Sequence, residues 1–139
     1  MTTALVKKTI EDLTKALGHL EYSLTKASNI LSLPALSEDY LEDLEGFGAR
    51  FERASNIGIQ KFLRLKVLEK DPGFRGGLID ILNEAEKSGW ISSARDWARI
   101  RELRNVTAHE HTETENRELY AELVRLAPSI LALRGLLTP

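Results

Sequence analysis

Residues 6–31 read VKKTIEDLTKALGHLEYSLTKASNIL. Within them Val6, Ile10, Leu13, Leu17, Leu20, Leu24, Ala27 and Leu31 recur at alternating steps of four and three. An α-helix turns once in about 3.6 residues, so this spacing draws one continuous apolar stripe along one side of a long helix. Thr2 or Thr3 can cap its start, and Pro34 follows its end. Such a stripe is also a coiled-coil seam, but a short chain with polar linkers favours burying it within a bundle.

After Pro34, Ser37 is a good N-cap, and the acids that follow suit the positive end of a helix dipole. Leu41, Leu44, Phe51, Phe62 and Leu65 mark the apolar side of this second helix. Gly46, Gly48 and Gly58 lie inside it, where glycine costs about 1 kcal/mol relative to alanine; they allow either close packing or a kink. The run Lys70-Asp-Pro-Gly-Phe-Arg-Gly-Gly is the clearest break. It is not a phosphate-binding loop, because no strand precedes it and no Gly-Lys-Ser/Thr closes it. A short helix follows with Leu78, Ile79, Ile81, Leu82 and Ala85, ending near Ser88 and Gly89. Ser92 or Ser93 then caps a helix running through Trp97 to about His109. The stretch from His111 to Asn116 reads as a polar connection. The last helix carries Leu119, Leu123, Leu126, Ile130 and Leu133, with Pro128 expected to kink or interrupt it. No strand-like alternation and no internal repeat occurs. The expected fold is all-α, an antiparallel bundle of four to five helices forming one domain over residues 1–139.

The chain has 42% apolar and 29% charged residues, ordinary for a soluble globular protein, and no cysteine. It therefore has neither a disulfide framework nor a thiolate metal site, which fits a reducing cytoplasm. The N-terminus has no apolar signal core, and no run approaches a membrane span. The net charge of −2 excludes a bulk polycation. Residues 1–50 carry net −3, with Glu38, Asp39, Glu42, Asp43 and Glu45 close together; residues 51–100 carry net +2. A nucleic-acid site would therefore have to be local, among Lys61, Arg64, Lys66, Lys70 and Arg75 or among Arg95, Arg99, Arg101 and Arg104.

On a wheel at about 100° per residue, Trp97, Ile100 and Leu103 share the apolar side of their helix, and Arg104 falls between Trp97 and Ile100. Arg95, Arg99 and Glu102 fall opposite. An arginine inside an apolar stripe either pairs with a carboxylate or lines a polar cleft, since an unpaired buried charge is costly. Asn105 and His109 are four apart and stack on one side. His109 lies roughly 140° from Arg104, so the two converge if the arginine reaches round, if the helix loosens, or if a second subunit completes the site. Metal-free RNA cleavage needs a group to move protons near neutral pH, which histidine does, and a cation for the phosphate charge, which arginine supplies. The competing reading is a helix end with a capping histidine and a salt-bridged arginine. His19 reads as structural, and His109 with His111 lacks a defined metal-ligand spacing.

The run Gly89-Trp90-Ile91, then Trp97-x-x-Ile100-x-x-Leu103-Arg104-Asn105-x-x-Ala108-His109, resembles the hallmark segment of HEPN-domain proteins. The resemblance is closest to their HepT-like toxin and nucleotidyltransferase-associated, substrate-binding branch. It implies a helical bundle that dimerises with its Arg-x-x-x-x-His segments facing each other. It further implies a cytoplasmic, metal-independent endoribonuclease toxin acting on tRNA or mRNA, without cofactor, opposed by an antitoxin of the minimal nucleotidyltransferase type. Arg104 would stabilise the phosphate, His109 would transfer protons, and Asn105 would fill the polar position after the arginine. In one toxin branch the partner adds AMP to a tyrosine two residues after the histidine; here that position is His111, an auxiliary candidate. The alternatives are a non-catalytic substrate-binding subunit of a minimal nucleotidyltransferase, and a helical interaction module.

Overall fold

The structure is a computed structural model, and it describes residues 3–103 and 111–137. Among these residues the fold is all-α, a helical bundle without strands. Helix α1 spans Thr3–Leu31 and α2 spans Glu38–Asn56. A π-helical segment, Ile57–Leu63, continues α2 directly into α3, Arg64–Lys70. Helices α4 (Leu78–Lys87), α5 (Ala94–Leu103) and α6 (Glu113–Leu131) follow, and α6 tightens into a 3-10 turn at Ala132–Leu136. Helix α1 packs against α2 and α6, while α4 packs against α5 and the π segment.

The α1 stripe is buried through Leu13, Leu17, Leu20 and Ala27, as its spacing requires. Val6, Ile10, Leu24 and Leu31 are only half-buried, and Thr9, Ala16, Ser23 and Ile30 take the inner positions instead. The buried face is thus rotated slightly from the most hydrophobic one. Small residues on it let α2 and α6 approach closely.

The α2 stripe explains the π segment. Ala54 and Ser55, Gly58 and Ile59, then Phe62 and Leu63 are buried as pairs repeating every four residues. On an α-helix a strict four-residue step drifts by about 40° per repeat. The wider π turn, closed by bonds such as Arg64 N–H to the Ile59 carbonyl, rotates less per residue and cancels that drift. Gly58 is there for close packing: a Cβ at this position would lie 2.8 Å from Leu133 Cδ1 and 3.5 Å from the Trp97 ring.

The caps follow local chemistry. Ser37 Oγ accepts from Tyr40 N–H at 3.2 Å, and Ser93 Oγ from Asp96 N–H at 3.0 Å, which selects Ser93 over Ser92. Helix α4 stops at Gly89, whose φ of +78° suits glycine. Trp90 N–H then reaches the Ala85 carbonyl at 2.9 Å and Gly89 N–H the Glu86 carbonyl at 3.0 Å, the bond pair of a Schellman end.

Two expectations are corrected. Residues 113–116 are not connection but the first turn of α6, because Thr112 and Glu115 form a reciprocal capping box (3.1 and 3.3 Å). Pro128 does not interrupt α6, which runs to Leu131. Pro128 is exposed, so the carbonyl deprived of its N–H partner faces the solvent side of the helix.

Candidate functional site

Helices α5 and α6 frame the candidate segment. Trp97, Ile100 and Leu103 are buried, while Arg95, Arg99 and Glu102 are exposed, as the wheel requires. Arg104, Asn105 and His109 lie outside the described residues. The structure therefore gives the frame that carries the segment.

That frame is tied at several points. Arg99 donates from Nε and Nη2 to the two Glu122 oxygens, each at 2.7 Å, and from Nη1 to Glu102 at 3.0 Å. This fork-to-fork pair locks α5 to α6. It holds the Glu122 carboxyl below the usual carboxylate range, chiefly through the Arg99 hydrogen bonds, and keeps Arg99 firmly protonated. At the start of α6, Glu113 Oε1 accepts from Leu36 N–H at 2.9 Å. Arg117 Nη1 donates to the Leu31 carbonyl at 3.3 Å. The α1–α2 connection is thus pinned beside the N-terminus of α6.

His111 is described, and it stands on the rim of a cleft. Its Nδ1 lies 3.4 Å from Glu115 Oε2, so that carboxylate already engages one ring nitrogen. Glu115 is held below the usual carboxylate range, first by the Thr112 hydroxyl and backbone and then by His111. The cleft has a volume of about 560 Å³. Glu38, Asp39, Glu42, Glu45 and Glu113 line it together with His111.

The acidic cluster of the sequence therefore divides: Glu38, Asp39, Glu42 and Glu45 line the cleft, whereas Asp43 pairs with Lys26 of α1 at 3.2 Å. Sequence reasoning saw the acids but not their neighbour. Their spacing was the available signal, and the contact with α6 was not in it. Beneath the cleft, Tyr120 is buried, and burial, then the Glu45 charge, pushes its phenol up to about 12. His19 is exposed on α1, and its backbone carbonyl, not its ring, receives a long bond from Arg50 at 3.5 Å. Among the described residues no three His, Cys, Asp or Glu side chains converge as a metal site. No described helix is long and apolar enough to cross a membrane.

No family model matches the chain, and no curated protein matches it. A solved structure from Haemophilus influenzae, described as the fold of a substrate-binding domain of a nucleotidyltransferase, is similar to it with a TM-score of 0.73. The sequences are 22% identical, and the match covers 92% of this chain and 98% of that one. The likeness spans nearly the whole of both chains and shows a shared fold.

Proposed function

We propose that this chain is a helical substrate-binding subunit that works with a nucleotidyltransferase. The observation that carries this reading is the near end-to-end likeness in fold to the Haemophilus influenzae substrate-binding domain. The acidic cleft rimmed by His111 supports it on electrostatic grounds. Five carboxylates line that cleft. Around a polyanion such carboxylates repel at several ångströms, where salt screens only partly over a Debye length of about 8 Å. Such a lip favours a cation-bearing or neutral ligand over an RNA backbone.

A second reading is kept because one observation favours it. Arg104, Asn105 and His109 stand in the sequence at the spacing of the HEPN ribonuclease motif, a few residues after Trp97, which is buried in α5. On this reading two copies bring their segments to a shared cleft. There Arg104 stabilises the phosphate and His109 moves the proton, with no metal, in a toxin held by a nucleotidyltransferase antitoxin. The half-buried ring of His111 is then an auxiliary rather than the principal base, since Glu115 engages it.

One experiment separates the two. Wild type, Arg104→Ala and His109→Ala are expressed, growth is followed, and cellular RNA is end-mapped. The substrate-binding reading expects intact RNA and equal growth in all three. Cleavage and toxicity that disappear in both variants would overturn it in favour of the ribonuclease.

A further inference from the structure

Two glycines sit where neither the backbone nor the packing of this chain asks for them. Gly18 lies in the middle of α1 and Gly46 in the middle of α2. Both are exposed, neither has a positive φ, and a Cβ on either would have nothing within 4 Å. Glycine is the weakest helix former after proline, so alanine would serve the isolated chain better at both places. Gly58 is the contrast, because Leu133 and Trp97 fill the space above it.

Each glycine lies one helical turn before a member of a pair that links the two helices. Tyr22 follows Gly18 by four residues, and Arg50 follows Gly46 by four. The Arg50 guanidinium lies over the Tyr22 ring, 5.9 Å from its centre, and Arg50 Nη1 donates to the buried Ser23 hydroxyl at 2.8 Å. Tyr22 is 67% exposed, more than any other large apolar side chain among the described residues. Tyrosine and arginine are the residue types enriched among those that carry the energy of protein–protein interfaces. A ring already braced by an arginine loses less freedom when a partner covers it. Beside the ring, Gly18, Glu21, Thr25 and Lys26 line a depression of about 590 Å³, room for side chains of a partner.

The charges around the pair select the partner. Lys26 pairs with Asp43 at 3.2 Å and Arg134 with Glu21 at 2.8 Å, so the flanks are neutralised within the chain. Arg50 makes no ion pair among the described residues, which leaves its charge for a carboxylate from outside. We propose that this α1–α2 face is where the nucleotidyltransferase docks. A carboxylate-bearing segment of that partner reaches Arg50 and covers Tyr22, and its backbone comes close over Gly18 and Gly46. The proposal rests on the reading of this chain as a nucleotidyltransferase subunit and adds the surface to it.

The test is calorimetric titration of the full chain with a nucleotidyltransferase from the same cell, beside thermal melting of this chain alone. It compares wild type, the Gly18→Gln/Gly46→Gln double variant, Tyr22→Ala and Arg50→Lys. Glutamine is a better helix former than glycine and brings no charge, so the double variant is expected to melt at or above wild type. Its affinity for the partner should nevertheless fall about tenfold or more, and that of Tyr22→Ala likewise. Arg50→Lys keeps the charge without the planar fork and should lose less. Wild-type affinity in both the double variant and Tyr22→Ala would overturn the proposal while leaving the subunit reading intact. A double variant that melts well below wild type would overturn it too, since the glycines would then serve the fold. A dimer of this chain alone that the double variant splits would assign the face to a second copy instead. No association of wild type at micromolar concentrations would end both readings.

Discussion

Tyr120 and Gly58 show how much depends on single positions. The Tyr120 phenol is buried beneath the Glu45 charge, so ionising it inside the fold is disfavoured on both counts. Its folded pKa of about 12 exceeds the unfolded value of about 10, so the unfolded chain loses this proton first. Stability from this group is therefore complete below pH 10 and is lost as pH rises toward 12. Urea midpoints measured across that window should fall for wild type and fall less steeply for Tyr120→Phe. Gly58→Val should destabilise by about 1–3 kcal/mol, because even a Cβ meets buried Leu133 at 2.8 Å. The same urea series measures it. An unchanged midpoint would mean that the π segment and the 3-10 turn do not pack as closely as described.

At the scale of elements, caps and ties set where each helix begins and how it is held. Thr112→Ala removes the hydroxyl from the α6 capping box and should cost about 1 kcal/mol, measurable as a lower denaturation midpoint. Arg99→Ala should cost more than an ordinary surface ion pair, since it removes a bidentate pair joining two helices and leaves Glu122 with the longer Arg125 pair at 3.8 Å. Its effect should shrink on acidification, because the Arg99 bonds lower the Glu122 pKa. That contribution is present above the usual carboxylate range and is lost as pH falls through the folded value. Glu122→Gln in the Arg99→Ala background should then change little, which a double-mutant cycle reads directly.

Helix periods were legible in the sequence because they are local. The α1 stripe, the Ser37 cap, the Gly89 stop and the exposed Arg95–Arg99–Glu102 side all follow from spacing within one turn or two. The π segment was not, because Gly46, Gly48 and Gly58 suggest close packing and a kink equally well. Only Trp97 and Leu133, far away in sequence, decide for close packing at Gly58. Thr112 was missed as a cap because the polar residues behind it look like loop until Asn116 is known to be buried.

Across the whole molecule, the charges are sorted by place rather than by amount. A net −2 conceals an acidic cleft at one end of α2 and a mixed, cation-bearing cleft along its π segment. The cluster Glu38–Glu45 was visible in the sequence, but its convergence with His111 and Glu113 required α6 to fold back across α2. The Arg104–His109 spacing was equally visible, and it lies outside the described residues, so its chemistry rests on the sequence alone.

The most direct measurement is light scattering after size-exclusion chromatography of this chain mixed with a nucleotidyltransferase from the same cell. A stable heteromer is expected, with both chains in one peak and an unchanged mass for the His109→Ala variant. Two separate peaks at micromolar concentrations of each chain would contradict the assignment of this bundle as a nucleotidyltransferase subunit.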